Sequence, residues 1–386
     1  MKIAAPAPAP PLEIAEVLRR LIAGGHDAYL VGGCVRDMVL GRPVHDYDIA
    51  TSARPDDVAG LFEKTVRTGE RFGTVSVILP EYTVEVTTFR TDGGYHDSRR
   101  PESVEFVTSL EEDLRRRDFT INAMAVSETG QLYDPFGGVR DLEGRVIRCV
   151  GDPAERFSED ALRMFRAYRI SAQLGFTIEP GTLEAIGRAS GGAKNISAER
   201  IRDEFEKTLL SPRPEVVYEL LRLSHPGVAV RDTELLKKQF SICTELLPTW
   251  RWCALAATLR GVDPEEFLRG MRLPARMVKD CAAGIRLARV GFPDDRAEIK
   301  RLLAKHGEVP VTLCAALVCG EFAKVGEITT SGECYTLRDL AVTGRDLVDM
   351  GAPPGPEIGE TLERLRDYVI ENPDKNNWDD LIAQLS

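Results

Sequence analysis

"YLVGGCVRDMVLGRPVHDYDIATSA", residues 29–53, sets two adjacent glycines, an Arg-Asp pair and two aspartates one residue apart within a single short stretch. Side chains alternate faces along an extended segment, so Asp46 and Asp48 point one way while Tyr47 and Ile49 point the other. Two carboxylates then converge on one small volume. Crowding them costs free energy unless a cation neutralises them, and hard oxygen donors suit Mg²⁺, whose shell is commonly completed by substrate phosphates. That is the chemistry of phosphoryl or nucleotidyl transfer. Taken alone, the Asp-x-Asp pair is a common pattern and reads as an exposed turn. Upstream, a strand "YLVGG" runs into a helix "VRDMVLG" and leaves Gly32 and Gly33 at the turn, where missing Cβ atoms let the backbone approach a phosphate. Arg36, on the first helical turn, reaches either a phosphate or a neighbouring carboxylate such as Asp37.

The rest of the chain bounds this reading. Its 386 residues, 43% hydrophobic, suffice for several buried cores, roughly two to four domains. The opening "MKIAAPAPAPP" has no apolar run behind it and is expected to be a disordered leader over residues 1–11. No segment approaches the roughly 20 uninterrupted apolar residues of a membrane helix. Eight cysteines lie scattered without CxxC pairs or nearby histidines, which argues against a zinc cluster or disulfide scaffold and for a reduced cytoplasm. A net charge of −11 argues against nucleic-acid binding by bulk electrostatics. Any such contact is therefore local, and basic clusters at 97–102, 114–119 and 163–169 offer it, though each reads equally as a solvated face.

Strand-like runs fill the first third: 28–33, 74–80, 83–89, 119–126 and 145–151 are short and rich in β-branched residues, with helical patterns such as 55–64 between them. From about residue 153 the period becomes helical and stays so, punctuated by Gly and Pro. The expected fold is α+β: a mixed α/β head followed by an all-helical remainder, with no internal repeat. Within "EDALRMFRAYR" (159–169), Asp160, Arg163, Arg166 and Arg169 recur every three residues, which predicts one helix carrying all four on adjoining faces. Leu162, Phe165 and Ile170 serve its buried side. Such a row is also what a helix laced by acid-base pairs presents.

Taken together, "GGCVRD", eight intervening residues and "DYD" resemble the nucleotidyltransferase signature of the tRNA nucleotidyltransferase and poly(A) polymerase family, within the DNA polymerase β superfamily. The family's further motifs follow in order: "LRRRDFTINAMA" (114–125), "DPFGGVRDLEGRVIR" (134–148), "EDALRMFRAYRISAQLGF" (159–176) and a bacterial-type C-terminal segment "TGRDLVDMGAPPGPEIGETL" (343–362). The resemblance implies a polymerase β-like catalytic head at 12–151, a helical neck at 152–210 that reads the base, a helical body at 211–320 and a helical tail at 321–386.

Hydrogen-bond inventory gives the neck motif a sharper role. Arg only donates and an ionised Asp only accepts. Cytosine and adenine each pair a ring acceptor with an amino donor, which an Asp-Arg pair satisfies. Guanine and uracil invert that pattern and leave buried groups unpaired, at about 1 to 3 kcal/mol each. Asp160 and Arg163 therefore suit selection of C and A without a nucleic-acid template, as the family resemblance also implies. By the same resemblance Arg166, Arg169 and Arg117 lie near ribose or phosphates, while Gly33 and Arg36 grip phosphates. The activity implied is addition of CCA to tRNA 3′ ends from CTP and ATP with release of pyrophosphate, in the cytoplasm, with Asp46 and Asp48 holding Mg²⁺. The tRNA acceptor stem and elbow would rest on body and tail; neither a membrane nor a protein partner is implied. Poly(A) synthesis, or addition of CC or A alone, are the neighbouring alternatives. The polar segment 90–110 reads as a mobile loop leading into a helix, full length in family terms, with Asp97, Arg99 and Arg100 as candidate participants. Glu85 in "TVEVTTF" is either a third carboxylate at the metals or an outward strand residue.

Overall fold

A computed structural model describes residues 3–4, 9–92, 104–230, 233–242, 247–320 and 322–385. The chain divides into two compact units, Met1–Pro226 and Gly227–Ser386. Asp97, Arg99 and Arg100 lie outside the described residues.

The first unit is built on an eight-stranded sheet. In chain order come β1 (Ile3–Ala4), α1 (Leu12–Ala23), β2 (Ala28–Val31), α2 (Gly33–Val39), β3 (Tyr47–Thr51), α3 (Pro55–Leu61), β4 (Thr65–Gly69), β5 (Thr74–Ile78) and β6 (Thr83–Thr88). A two-stranded ribbon follows, β7 (Arg90–Asp92) with β8 (Val104–Phe106), then α4 (Leu110–Arg115), β9 (Ala125–Val126) and β10 (Leu132–Tyr133). The sheet order is β1-β10-β9-β2-β3-β6-β5-β4. β2 and β3 pair antiparallel, Val31 against Asp48, whereas β3 and β6 pair parallel, Asp48 against Glu85. Alternation within β3 holds as expected: Tyr47 and Ile49 are buried and the aspartates face away from that core. Val31, Ala50, Phe89, Leu110, Leu114 and Ala125 form a core that fixes α4 against the central strands. Of the expected leader, Ile3–Ala4 pair with β10 at the sheet edge, whose open backbone groups favour any short partner strand; residues 1–2 and 5–8 are outside the described set.

Two strand expectations are corrected. Over 119–126 only Ala125–Val126 are strand; Thr120–Asn122 form a 3₁₀ turn. Asp118 redirects this backbone, accepting both the Phe119 N–H and the Asn122 side-chain amide, and Ile121, Ala123 and Met124 are buried on every side, so no alternation exists to hold a strand. Over 145–151 only β11 (Val146–Ile147) is strand, paired with β12 (Thr177–Ile178), while Cys149 makes an isolated antiparallel bridge to Phe119. Between β10 and β11 lies α5 (Gly138–Glu143).

The neck helices are α6 (Pro153–Glu159), α7 (Leu162–Leu174), α8 (Pro180–Ala189) and α9 (Ala198–Leu209), and α10 (Val217–Ser224) follows them in the same unit. The single helix expected through 159–169 is broken: Asp160 is extended (φ −144°, ψ 104°) and its Oδ1 accepts the Leu162 N–H at 3.0 Å. A short acceptor beside a free N–H competes with helical pairing, and here it caps α7 instead of continuing α6. Met164, Phe165, Ala167 and Ile170 give α7 a fully buried face, each large apolar side chain contributing about 1.5–3 kcal/mol. Gly175 ends α7 in the left-handed region (φ 69°), its N–H reaching the Ser171 carbonyl.

The second unit is helical: α11 (Thr233–Ile242), α12 (Leu247–Thr258), α13 (Pro264–Gly270), α14 (Ala275–Val290), α15 (Arg296–His306), α16 (Glu308–Val318), α17 (Ala323–Thr330), α18 (Gly344–Asp349), α19 (Pro356–Glu371) and α20 (Trp378–Ile382). One core gathers Ile299, Leu303, Val311, Val325 and Ile328; another gathers Val342, Leu347, Leu365, Val369 and Leu381. A short ribbon pairs β13 (Ala229–Val230), before α11, with β14 (Leu259–Arg260), between α12 and α13. Among the described residues no helix is long and apolar enough to cross a membrane.

Candidate active site

A cleft of about 1030 Å³ opens in the first unit, and every candidate residue lines it: Gly33, Arg36, Asp46, Asp48, Arg117, Asp160, Arg163, Arg166 and Arg169. Nine Lys or Arg and five Asp form its walls, so the cleft is cationic within an acidic chain. This is the local basic contact that the net charge requires of a polyanion site.

On one wall, β3 and the loop before it place the two carboxylates. Asp46 is exposed and Asp48 half-buried. Burial raises the Asp48 pKa, the Glu85 and Asp46 charges raise it further, and Arg117 and Arg166 oppose them. Among the described residues no three His, Cys, Asp or Glu side chains already surround a metal position. Two oxygen ligands on one edge, strained by mutual repulsion, fit a hard cation whose other ligands come from a bound phosphate chain. The parallel register of β3 and β6 sets Glu85 directly beside Asp48, a placement that alternation in β6 alone did not decide.

Above them sits the glycine turn. Gly32 has φ 80° and ψ −139°, a conformation reserved for glycine, and a Cβ there would stand 3.1 Å from Arg117 Nη1 and 3.5 Å from Asp48 Oδ2. Arg117 donates from Nη2 to Asp113 at 3.1 Å, while its buried Nε has no hydrogen-bond partner. Asp113 is fully buried in α4; burial opposes its ionisation, but the Arg117 and Arg116 guanidiniums hold its carboxyl below the usual range. Arg36 pairs with Asp37 through Nε (3.0 Å) and Nη2 (2.8 Å) and donates from Nη1 to Asn122 at 3.0 Å, leaving two of its five N–H groups for a ligand.

The neck supplies the opposite wall. Arg166 Nε donates to Asp118 at 2.6 Å, and although burial opposes it, this pair holds the Asp118 carboxyl far below its ordinary value. Arg163 is nearly buried, held by Glu159 (2.5 Å) and the carbonyls of Arg116 (2.9 Å) and Arg156 (3.3 Å). Arg169 donates to Glu204 at 2.5 Å and Gln173 at 2.8 Å, and its own burial lowers its pKa. Asp160 is engaged by Arg200 of α9. Sequence reasoning missed Asp113, Asp118, Asn122 and Arg200. Asp118 follows Arg117 within "RRRDF" and was within reach of it; Arg200 lies in an ordinary amphipathic helix and carried no signal.

A mixed sheet bearing paired carboxylates, a glycine turn and an arginine-lined helical wall defines a nucleotidyltransferase. Residues 28–148 match the Poly A polymerase head domain, 175–225 the RNA and SrmB-binding site of polymerase A, and 315–385 a tRNA nucleotidyltransferase domain 2. The CCA-adding enzyme of Limosilactobacillus fermentum is 38% identical over 95% of this chain and 94% of its own. That of Geobacillus stearothermophilus is 39% identical over 96% and 95%. The chain therefore belongs to the CCA-adding enzyme family of tRNA nucleotidyltransferases, whose chemistry takes a divalent metal. Among solved structures, the Bacillus stearothermophilus CCA-adding enzyme in complex with CTP superposes with a TM-score of 0.77 at 33% identity, covering 97% of each chain. The Thermotoga maritima CCA-adding enzyme complexed with tRNA-CCA shares the fold, with a TM-score of 0.66 at 21% identity over 100% of each chain.

Proposed function

We propose that this protein adds C, C and A to the 3′ end of tRNA from CTP and ATP, releasing pyrophosphate, and that it does so in the cytoplasm. The observation that carries this reading is that Asp46 and Asp48 line the same cleft, of about 1030 Å³, as Asp160 and Arg163. Asp46 and Asp48 would hold Mg²⁺, with Glu85 beside them. When bound, the metal supplies acidification of the primer 3′-hydroxyl and neutralisation of the triphosphate.

This chain's own groups do the rest. Gly32 and Gly33 let the phosphates approach the backbone; Arg117 and Arg36, which line the cleft, bind their oxygens. Arg166 and Arg169 line the ribose and phosphate side. Arg163 offers donors to the ring acceptor of cytosine or adenine, and Asp160 accepts from the exocyclic amine. The residues from 12 to 151 act as the catalytic head, those to 210 as the base-reading neck, and body (211–320) and tail (321–386) hold the tRNA acceptor stem and elbow through backbone shape.

Incubating tRNA that lacks CCA, ends in CC or carries CCA with each nucleotide separates this activity from its alternatives on one gel. Addition of C twice and A once, then arrest, is expected. A growing A tract would indicate a poly(A) polymerase, and arrest after CC a CC-adding enzyme. Extension by an Asp48→Ala protein would overturn the mechanism.

A further inference from the structure

Asp160 is not free to meet a base in any orientation. Arg200 grips it with both terminal nitrogens, Nη1 to Oδ1 at 3.2 Å and Nη2 to Oδ2 at 2.6 Å. The Leu162 backbone N–H takes a second position on Oδ1 at 3.0 Å. An ionised carboxylate has about four lone-pair sites. Three are filled, and one on Oδ2 remains. Both side chains are largely buried, with 17% of Asp160 and 25% of Arg200 exposed, and both line the cleft.

This occupancy bears on nucleotide choice. A carboxylate with both oxygens open is the natural partner of guanine, whose N1–H and N2 amino group lie side by side and match two parallel acceptors. Uracil presents only one ring N–H, between two carbonyls. Cytosine and adenine need a single acceptor for their exocyclic amine. An unrestrained Asp160 would thus reward the wrong purine.

We infer that Arg200 is a specificity-determining positioning residue that, by occupying both Asp160 oxygens, leaves one acceptor for C or A and denies guanine a two-point grip. The inference rests on reading Asp160 and Arg163 as the base-selecting pair. Arg200 acts through Asp160 and touches neither the metal position nor the reacting atoms. Its planar fork is essential, because a lysine ammonium is a point charge that cannot cover both oxygens in this way.

The test is primer extension on tRNA lacking CCA, with kcat and KM for CTP, ATP, GTP and UTP measured separately in wild type, Arg200→Met, Arg200→Lys and Asp160→Ala, each checked for an unchanged melting curve. In Arg200→Met the preference for CTP over GTP is expected to fall by roughly 10- to 100-fold through a lower KM for GTP, with UTP gaining less. Arg200→Lys should lie between and keeps the question answerable if the methionine variant does not fold. Equal loss on all four nucleotides, a raised KM for CTP and ATP with selectivity intact, or full restoration by lysine would each overturn the role of Arg200 while leaving the base reader standing. If Asp160→Ala itself keeps the C and A preference, the base-reading assignment fails first and the inference with it.

Discussion

Glu85 stands directly opposite Asp48 in the parallel pairing of β3 and β6, so the two carboxylates share one face of the sheet, with Asp46 just before the strand. Burial raises the Asp48 pKa, the Glu85 and Asp46 charges raise it further against Arg117 and Arg166, and a cation held by Asp46 and Asp48 would also be attracted by the Glu85 charge beside them. Glu85→Gln is therefore expected to fold normally, to bind Mg²⁺ more weakly and to need more Mg²⁺ for half-maximal extension. An unchanged Mg²⁺ titration would return Glu85 to the role of an outward strand residue.

The two glycines of the turn make separable predictions. Gly32→Ala forces a side chain into a glycine-only conformation, costing about 1–3 kcal/mol, and pushes its Cβ onto the Arg117 guanidinium. Loss of stability and a raised KM for both nucleotides should appear together. A Cβ on Gly33 meets the Arg36 guanidinium, nearest at Nη2, 3.5 Å away, an ordinary contact. Gly33→Ala should therefore keep its melting temperature and lose only nucleotide affinity, measured by calorimetry. Unchanged affinity would remove Gly33 from the phosphate site.

Asp113 reaches the cleft only through its partners. It is fully buried and shared between Arg116 (2.6 Å) and Arg117 (3.1 Å). Asp113→Asn keeps the shape and removes the buried charge that both guanidiniums share; a loss of about 2 to 4 kcal/mol is expected. Denaturant unfolding gives the stability, and nucleotide titration shows whether Arg117 still binds. A KM unaffected by the substitution would mean that Arg117 is held without Asp113.

Much of this site was legible in the sequence because its chemistry lies in contiguous motifs. Asp46, Asp48 and the glycine turn are fixed by local strand and turn geometry, and Arg117, Asp160 and Arg163 by short runs around them. Pairings across long separations were not legible. Arg200 meets Asp160 from 40 positions away, and Arg166 meets Asp118 from 48. Periodicity also misled at two places for one reason: Asp118 and Asp160 each capture nearby backbone N–H groups, which breaks a strand in one case and a helix in the other. Glu85 needed the sheet register, which a one-strand pattern does not contain.

In the second unit Lys300 is 2% exposed and donates to Glu333 at 2.5 Å, while Arg296 holds the same carboxylate. Hydrogen bonds from Arg296 and Lys300 bring the Glu333 pKa down to about 2. A depressed acid stabilises the fold above its unfolded value, about 4.3, and that stability is lost as pH falls through the folded one. The shift corresponds to at most about 3 kcal/mol, reduced to roughly 2 because solvent reaches the 25% of Glu333 left exposed. Glu333→Gln should thus be less stable than wild type by about 2 kcal/mol at pH 7. The gap should hold down to about pH 4.5 and close progressively toward pH 2. Urea unfolding of both proteins across that range measures it, and a gap that stays constant below pH 4 would show that the charge of Glu333 does not stabilise this unit.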